Sequence, residues 1–136
     1  MDKNRRMRLN VIRGMLILAA AVLLTACLET KSPSAAVEGY LQALADKDES
    51  AAVNLSCADW EEQAMAEGAS FKSVEVALED ISCSVDSESG ERAVVSCTGK
   101  YVFSYDAGEQ QELNLEGRMF NVVKEAGEWR MCGYQQ

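Results

Sequence analysis

Cysteine is the residue with which this chain is best equipped to do chemistry. There are five, Cys27, Cys57, Cys83, Cys97 and Cys132, and there is no histidine. The lack of histidine removes the commonest general base and the commonest metal ligand together, and with them Ser-His-Asp and Cys-His catalysis. What remains open to a thiol is pairing, metal binding through sulfur alone, or carrying a covalent group. Sulfur-rich metal sites use closely spaced pairs such as C-x-x-C, which this sequence lacks. An even set, Cys57, Cys83, Cys97 and Cys132, suits two disulfides in an oxidising compartment; one bridge only, or reduced core cysteines, are the alternatives.

Carboxylates are the second candidate chemistry. The 136 residues carry 22 Asp+Glu against 13 Lys+Arg, a net charge of -9. Asp46, Asp48 and Glu49 form one cluster and Asp86, Glu88 and Glu91 another. Neither spacing fits a recognised calcium loop, and helix caps or turns account for both. A pocket is the third. Tyr40, Trp60, Tyr101, Phe103 and Met119 are candidates to line one for a small apolar ligand, although side chains at these spacings more often simply fill a core. No metal and no cofactor is expected.

Cys27 stands apart from the other four by its surroundings. Lys3, Arg5, Arg6, Arg8 and Arg13 precede an uncharged run of 13 residues from Gly14 to Ala26. That run is short of the ~20 residues a membrane-crossing helix needs, and extending it would bury Arg13. It ends in Leu24-Thr25-Ala26-Cys27, which resembles the lipobox of bacterial prolipoproteins. The resemblance implies a signal peptide at 1–26, cleavage before Cys27, and on that cysteine a diacylglyceryl thioether, with palmitate as an acyl chain. Two or more acyl chains make a stable membrane anchor where one does not. Expected localisation is therefore extracytoplasmic, lipid-anchored to the cell membrane. Leu28, rather than an aspartate, after the cysteine resembles the signal for sorting to an outer membrane where the host has one. Residues 27–33 are then the lipidated cysteine and a short tether. From Cys27 onward the chain has 8 Lys+Arg against 21 Asp+Glu, a net charge of -13. Such a body is repelled by nucleic acid and by anionic lipid, so no nucleic-acid partner is expected and the lipid must hold the membrane.

The elements that position these residues follow from periodicity. Ser32 can cap a helix with Pro33 at its first position, and Val37, Tyr40, Leu41 and Leu44 form one apolar face at i, i+3, i+4, i+7. Asp48 or Ser50 opens a second helix with Ala52, Val53, Leu55 and Cys57. Asp59, with Glu62 three residues on, is expected to open a third that contributes Trp60, Ala64 and Met65 and closes at Gly68. The period then becomes 2. Val74, Val76 and Leu78 alternate, and Ile81, Cys83 and Val85 alternate on the other parity, so a bulge is predicted near Glu79-Asp80. Ala93, Val95, Cys97, Tyr101, Phe103 and Tyr105 share one face of a long strand. Turns at Asp106-Ala107-Gly108 and Ala126-Gly127 deliver further strands through Leu113, Leu115, Met119 to Val123, and Trp129 to Tyr134.

Helices followed by an antiparallel meander predict an α+β domain, with the helices packed on one face of a curved sheet of four or more strands. Ala36-Val37-Glu38-Gly39-Tyr40-Leu41-Gln42-Ala43-Leu44, with Asp48 and Ala51-Ala52, and the closing Gly127-Glu128-Trp129-Arg130-Met131-Cys132, resemble bacterial lipoproteins with a nuclear transport factor 2-like, lumazine-binding-like domain, a cystatin-like cone. The resemblance spans about residues 34 to 134 and assigns 34–136 to that domain. It implies a cone that hosts binders, enzymes and assembly domains alike. The Asp-His pair used by some enzymes of that superfamily has no counterpart here, so an acid or base would have to be a buried Asp or Glu. The expected function is a noncatalytic envelope module that binds a small apolar ligand or an envelope protein; an enzyme with a buried acid, or a purely structural protein, is the alternative. The oligomeric state is not determined by these residues.

The hairpin register selects a disulfide pairing. With Val85 opposite Val95 and Ile81 opposite Gly99, Cys83 faces Cys97 at a separation a disulfide can span, leaving Cys57 for Cys132. A turn at Glu88-Ser89 would instead set Cys83 against Val94.

Overall fold

Ser32 caps the first described helix by accepting a hydrogen bond from the Ala35 backbone N–H, with Pro33 at the first helical position. The computed structural model describes residues 32–135, so the lipobox, Cys27 and the signal segment lie outside the described residues. Helix α1 (Pro33–Ala45) buries Val37, Tyr40, Leu41 and Leu44, the face its spacing predicts. Helix α2 (Glu49–Asn54) starts on Asp48, whose side chain accepts from the Ala51 N–H. Its buried contribution is Ala52.

The third helix differs from its sequence reading. Ala58–Trp60 is a single 3-10 turn, and helix α3 runs from Glu61 to Lys72, with no side-chain cap at its start. The cause lies just upstream. The Cys57 N–H donates to the Met131 carbonyl and the Met131 N–H donates to the Leu55 carbonyl, both at 2.8 Å. This parallel bridge fixes the chain's direction, and the tight turn redirects it into α3. Gly68 does not close the helix; it is buried inside it. A Cβ there would sit 3.3 Å from the Glu49 Cα, so the glycine serves close approach of α3 to α2 rather than termination. Met65, expected to be apolar packing, is 45% exposed, while Ala64 is fully buried.

Five antiparallel strands follow: β1 (Glu75–Ser89), β2 (Arg92–Ser104), β3 (Gln110–Asn114), β4 (Met119–Glu125) and β5 (Glu128–Gln135). The order is β1-β2-β4-β5, with β3 also on β2. β3 pairs with Lys100 to Ser104 and β4 with Arg92 to Ser96, so the two share one edge of β2. Leu115, buried at the bend between them, donates its N–H to the Gly99 carbonyl.

The bulge near Glu79-Asp80 is present, with the register shifting between Glu79 and Ser82 and Asp80 at φ 53°. It displaces the expected Ile81–Gly99 pairing: Glu79 faces Lys100 and Ser82 faces Thr98. Gly99, at φ +105°, takes the backbone of Glu79 and Asp80 where a side chain would be. Beyond it the predicted register holds, Cys83 opposite Cys97 and Val85 opposite Val95. The hairpin turns at Gly90-Glu91, with a second shift between Val85 and Ser87 absorbing the extra residue.

The helices cover the sheet face carrying Ala93, Val95, Cys97, Phe120, Val122 and Met131. Among the described residues no helix is long and apolar enough to cross a membrane.

Candidate functional site

Two disulfides cross-link the domain, one within the sheet and one between the helical layer and the sheet. Cys83–Cys97 joins adjacent strands with Cα atoms 4.1 Å apart, and Cys57–Cys132 joins the segment after α2 to β5 at 5.2 Å. The second bridge closes the chain over the β5 edge at the point where the Leu55–Cys57 backbone already pairs with Met131. A covered edge is also protected from pairing with foreign strands.

Three of the five predicted pocket residues come together beneath the helices. Tyr40, on the buried face of α1, donates its O–H to Glu67 Oε2 at 2.7 Å and accepts from Trp60 Nε1 at 3.3 Å. Tyr134 on β5 donates to the same Glu67 oxygen at 2.9 Å, and the Trp60 and Tyr134 rings meet edge to face. Gly133, at φ +117°, lets the Trp60 ring lie against β5; a Cβ there would be 3.3 Å from it. Tyr101 reaches the same interior from β2 and donates to the Leu41 carbonyl at 2.8 Å. Burial, reinforced by the Glu67 carboxylate, pushes the Tyr40 and Tyr134 hydroxyls well above the ordinary phenol range, and burial does the same for Tyr101. Tyr134 is 37% exposed overall, and its hydrogen bond to Glu67 stands on the exposed side of the group.

Of the remaining two candidates, Phe103 adjoins this group, its ring 5.9 Å from that of Tyr101, and Met119 lies apart. Phe103 packs against Phe71 of α3, ring centroids 5.6 Å apart, and Phe71 in turn packs on Tyr101 at 5.1 Å. The aromatic side chains thus pack on one another, with Phe71 inserted between helix and sheet. Met119 is 41% exposed, on the opposite parity of β4 from the buried Phe120 and Val122, so it faces away from the other four.

Glu67 was not singled out by sequence reasoning. The available signal was its place one turn after Gln63 and three residues after the buried Ala64, which turns it toward Tyr40 once α3 is extended past Gly68. Chemically the group is a partly buried carboxylate whose Oε2 accepts hydrogen bonds from two phenols. Charged hydrogen bonds of this kind are worth about 1.5–3 kcal/mol each and fix the three elements α1, α3 and β5 to one another. Four of the six clustered acids have local partners: Asp48 caps α2, Asp46 accepts from Gln42, Glu49 pairs with Lys72, and Asp86 accepts from Ser96.

A cleft of about 510 Å³ lies away from this interior. Ser87 on β1 faces Val94 on β2, which faces Asn121 on β4; in the next row Ser89 faces Arg92, which faces Val123. These residues alternate with the buried Ala93 and Val122, so they lie on the sheet face opposite the helices. Cys132, Asp59 and Trp60 complete the cleft at the covered β5 edge.

No protein-family model matches the chain. No curated protein sequence matches it either. Solved structures do. A ketosteroid isomerase-like protein from Erwinia carotovora atroseptica is similar with a TM-score of 0.56 at 21% identity, over 80% of this chain and 95% of that one. A SEC-C motif-containing protein from Rhodopseudomonas palustris gives 0.51 at 18% identity, covering 76% and 78%. A protein with a cystatin-like fold from Caulobacter vibrioides gives 0.50 at 15% identity, covering 71% and 80%. The α+β cone of the nuclear transport factor 2-like and cystatin-like kind is the fold of this chain.

Proposed function

We propose that this chain is a membrane-anchored extracytoplasmic lipoprotein whose domain is a noncatalytic binding or interaction module of the cell envelope. The observation that carries the reading is the pairing of Cys57 with Cys132 and Cys83 with Cys97, which leaves Cys27 as the one cysteine outside a disulfide pair. Disulfides persist in oxidising compartments outside the cytoplasm. Cys27 is also the cysteine of the lipobox-like Leu24-Thr25-Ala26-Cys27. From it to Ser32, where the described domain begins, only four residues intervene, roughly 13–17 Å of extended chain, so the domain sits against the lipid surface.

A binding role is favoured over an enzyme because both oxygens of Glu67, the carboxylate nearest the cone's interior tyrosines, are engaged within the protein: Oε2 accepts from Tyr40 and Tyr134 and Oε1 from the Gln63 amide. A general base needs a free lone pair facing its substrate. Partners are then a small apolar ligand or another envelope protein, met at the membrane surface.

The test is expression of the full-length chain in a bacterium with lipoprotein processing, followed by fractionation and mass spectrometry of the N-terminal peptide. A diacylglyceryl adduct on Cys27 in the membrane fraction is expected, and Cys27→Ser is expected to abolish it. An unmodified soluble chain that still begins at Met1 would sink the proposal.

A further inference from the structure

The described residues contain seven cations, and six have a protein partner. Lys47, Lys72, Lys100 and Arg130 each face a carboxylate. Arg118 donates to the Asn114 carbonyl, and Lys124 lies over the Trp129 ring. Arg92 is the remaining one: among the described residues it has no ion pair and no side-chain hydrogen bond. It stands in the outer-face cleft, in a row with Ser89 and Val123 and one row from Val94 and Asn121.

We propose that this cleft binds a small monocarboxylate with a compact apolar body, its carboxylate on Arg92. A guanidinium presents parallel N–H donors that match a carboxylate in two-point geometry. The Asn121 amide and the Ser87 and Ser89 hydroxyls supply further donors from the same face. Val94 and Val123, both half-buried, give the apolar body a floor between them. The volume of about 510 Å³ lies within the range of small-molecule sites. Charge limits the ligand to one negative group. Arg92 is the one cation lining the cleft, Asp59 lines it too, and the chain from Cys27 onward carries -13, so a phosphate dianion or a polyanion meets net repulsion.

This inference rests on the binding-module reading and gives that module a site and a ligand class. Its test is separate from the anchor's. The ¹⁵N-labelled full-length chain in detergent micelles is titrated with benzoate, benzamide, benzylammonium and phenyl phosphate, and amide shifts are followed by NMR. Saturable shifts centred on Arg92, Val94, Asn121 and Val123 are expected with benzoate, at a roughly millimolar dissociation constant for so small a probe. Benzamide and benzylammonium should bind about tenfold more weakly, since each loses the charged pair. Arg92→Gln, beside an exposed turn, should weaken benzoate about tenfold with the rest of the spectrum unchanged, and Arg92→Lys should retain part of the binding. Equal binding of benzoate and benzamide, shifts confined elsewhere, or an Arg92→Gln variant that binds benzoate unchanged overturns the site. Tighter binding of phenyl phosphate than of benzoate overturns the monocarboxylate assignment. If the chain is lipidated on Cys27 and benzoate does not bind, the cleft inference fails alone. If benzoate binds a chain that is never lipidated, the anchor fails and the site stands.

Discussion

Replacing Glu67 with alanine removes the acceptor shared by α1 and β5. Tyr40 has no exposed surface, so its O–H, now 2.7 Å from Glu67 Oε2, would be left inside the protein with no acceptor. A stranded buried donor costs about 1–3 kcal/mol. Tyr134, with 37% of its surface exposed, has water within reach and adds little. The expected loss is therefore about 2 kcal/mol, or roughly 8 °C in Tm at ~4 °C per kcal/mol for a domain of this size. Tyr40→Phe alone should cost about 1 kcal/mol, mainly by leaving the Trp60 N–H without its acceptor. In the double variant no stranded phenol remains, so the two losses should fall short of their sum by about 1.5 kcal/mol. Urea unfolding with both disulfides intact, followed by near-ultraviolet circular dichroism, reads these differences if the m-value is unchanged. A Glu67→Ala loss below about 0.5 kcal/mol, the range of an ordinary surface change, would refute the hub, as would additivity within about 0.3 kcal/mol.

The raised hydroxyl pKa values of Tyr40, Tyr101 and Tyr134 make the fold sensitive to base. Because the folded values lie above the unfolded phenol value near 10, the folded state keeps protons that the unfolded state releases; stability should be unaffected by these groups up to about pH 9 and fall as pH rises above about 10. Chemical denaturation at stepped pH checks this, and a flat profile through pH 11 would contradict it. Removing the Cys57–Cys132 bridge, whose ends are 75 positions apart, should cost more than removing Cys83–Cys97, 14 positions apart; the chain-entropy estimates are about 4.5 and 3 kcal/mol. Thermal melts of Cys57→Ala/Cys132→Ala and Cys83→Ala/Cys97→Ala pairs measure the order, and equal losses would show that edge closure adds nothing. Gly99→Ala places a Cβ 2.7 Å from the Glu79 carbonyl oxygen and 2.8 Å from that of Asp80, at φ +105°, and should destabilise by more than about 2 kcal/mol. Wild-type stability in that variant would show that the bulge shifts freely.

The elements whose reading needed only local chemistry were legible in the residues. Ser32-Pro33 and the i, i+3, i+4, i+7 face of α1 specify a capped amphipathic helix wherever it lies, and alternation across Val74 to Val85 specifies a strand with a bulge where its parity changes. The Cys83–Cys97 pairing was also within reach, since a hairpin register is set by short-range parity and turn length. The course of α3 was not. Asp59 and Gly68 carry ordinary helix-boundary signals, but Cys57 is held on Met131, 74 positions later, and Gly68 is needed where α3 meets Glu49. What the aromatic candidates enclose was hidden for the same reason. Periodicity assigns Tyr40, Tyr101 and Phe103 to apolar faces, but only the folded chain decides whether such a face lines a hollow or is filled by a side chain such as Phe71 from another element. Hubs and clefts made by residues distant in sequence, Glu67 between Tyr40 and Tyr134, or Arg92 in a row with Ser89 and Val123, leave no periodic trace. Their geometry is set by how helix and strands pack and pair, and local preference carries no information about that.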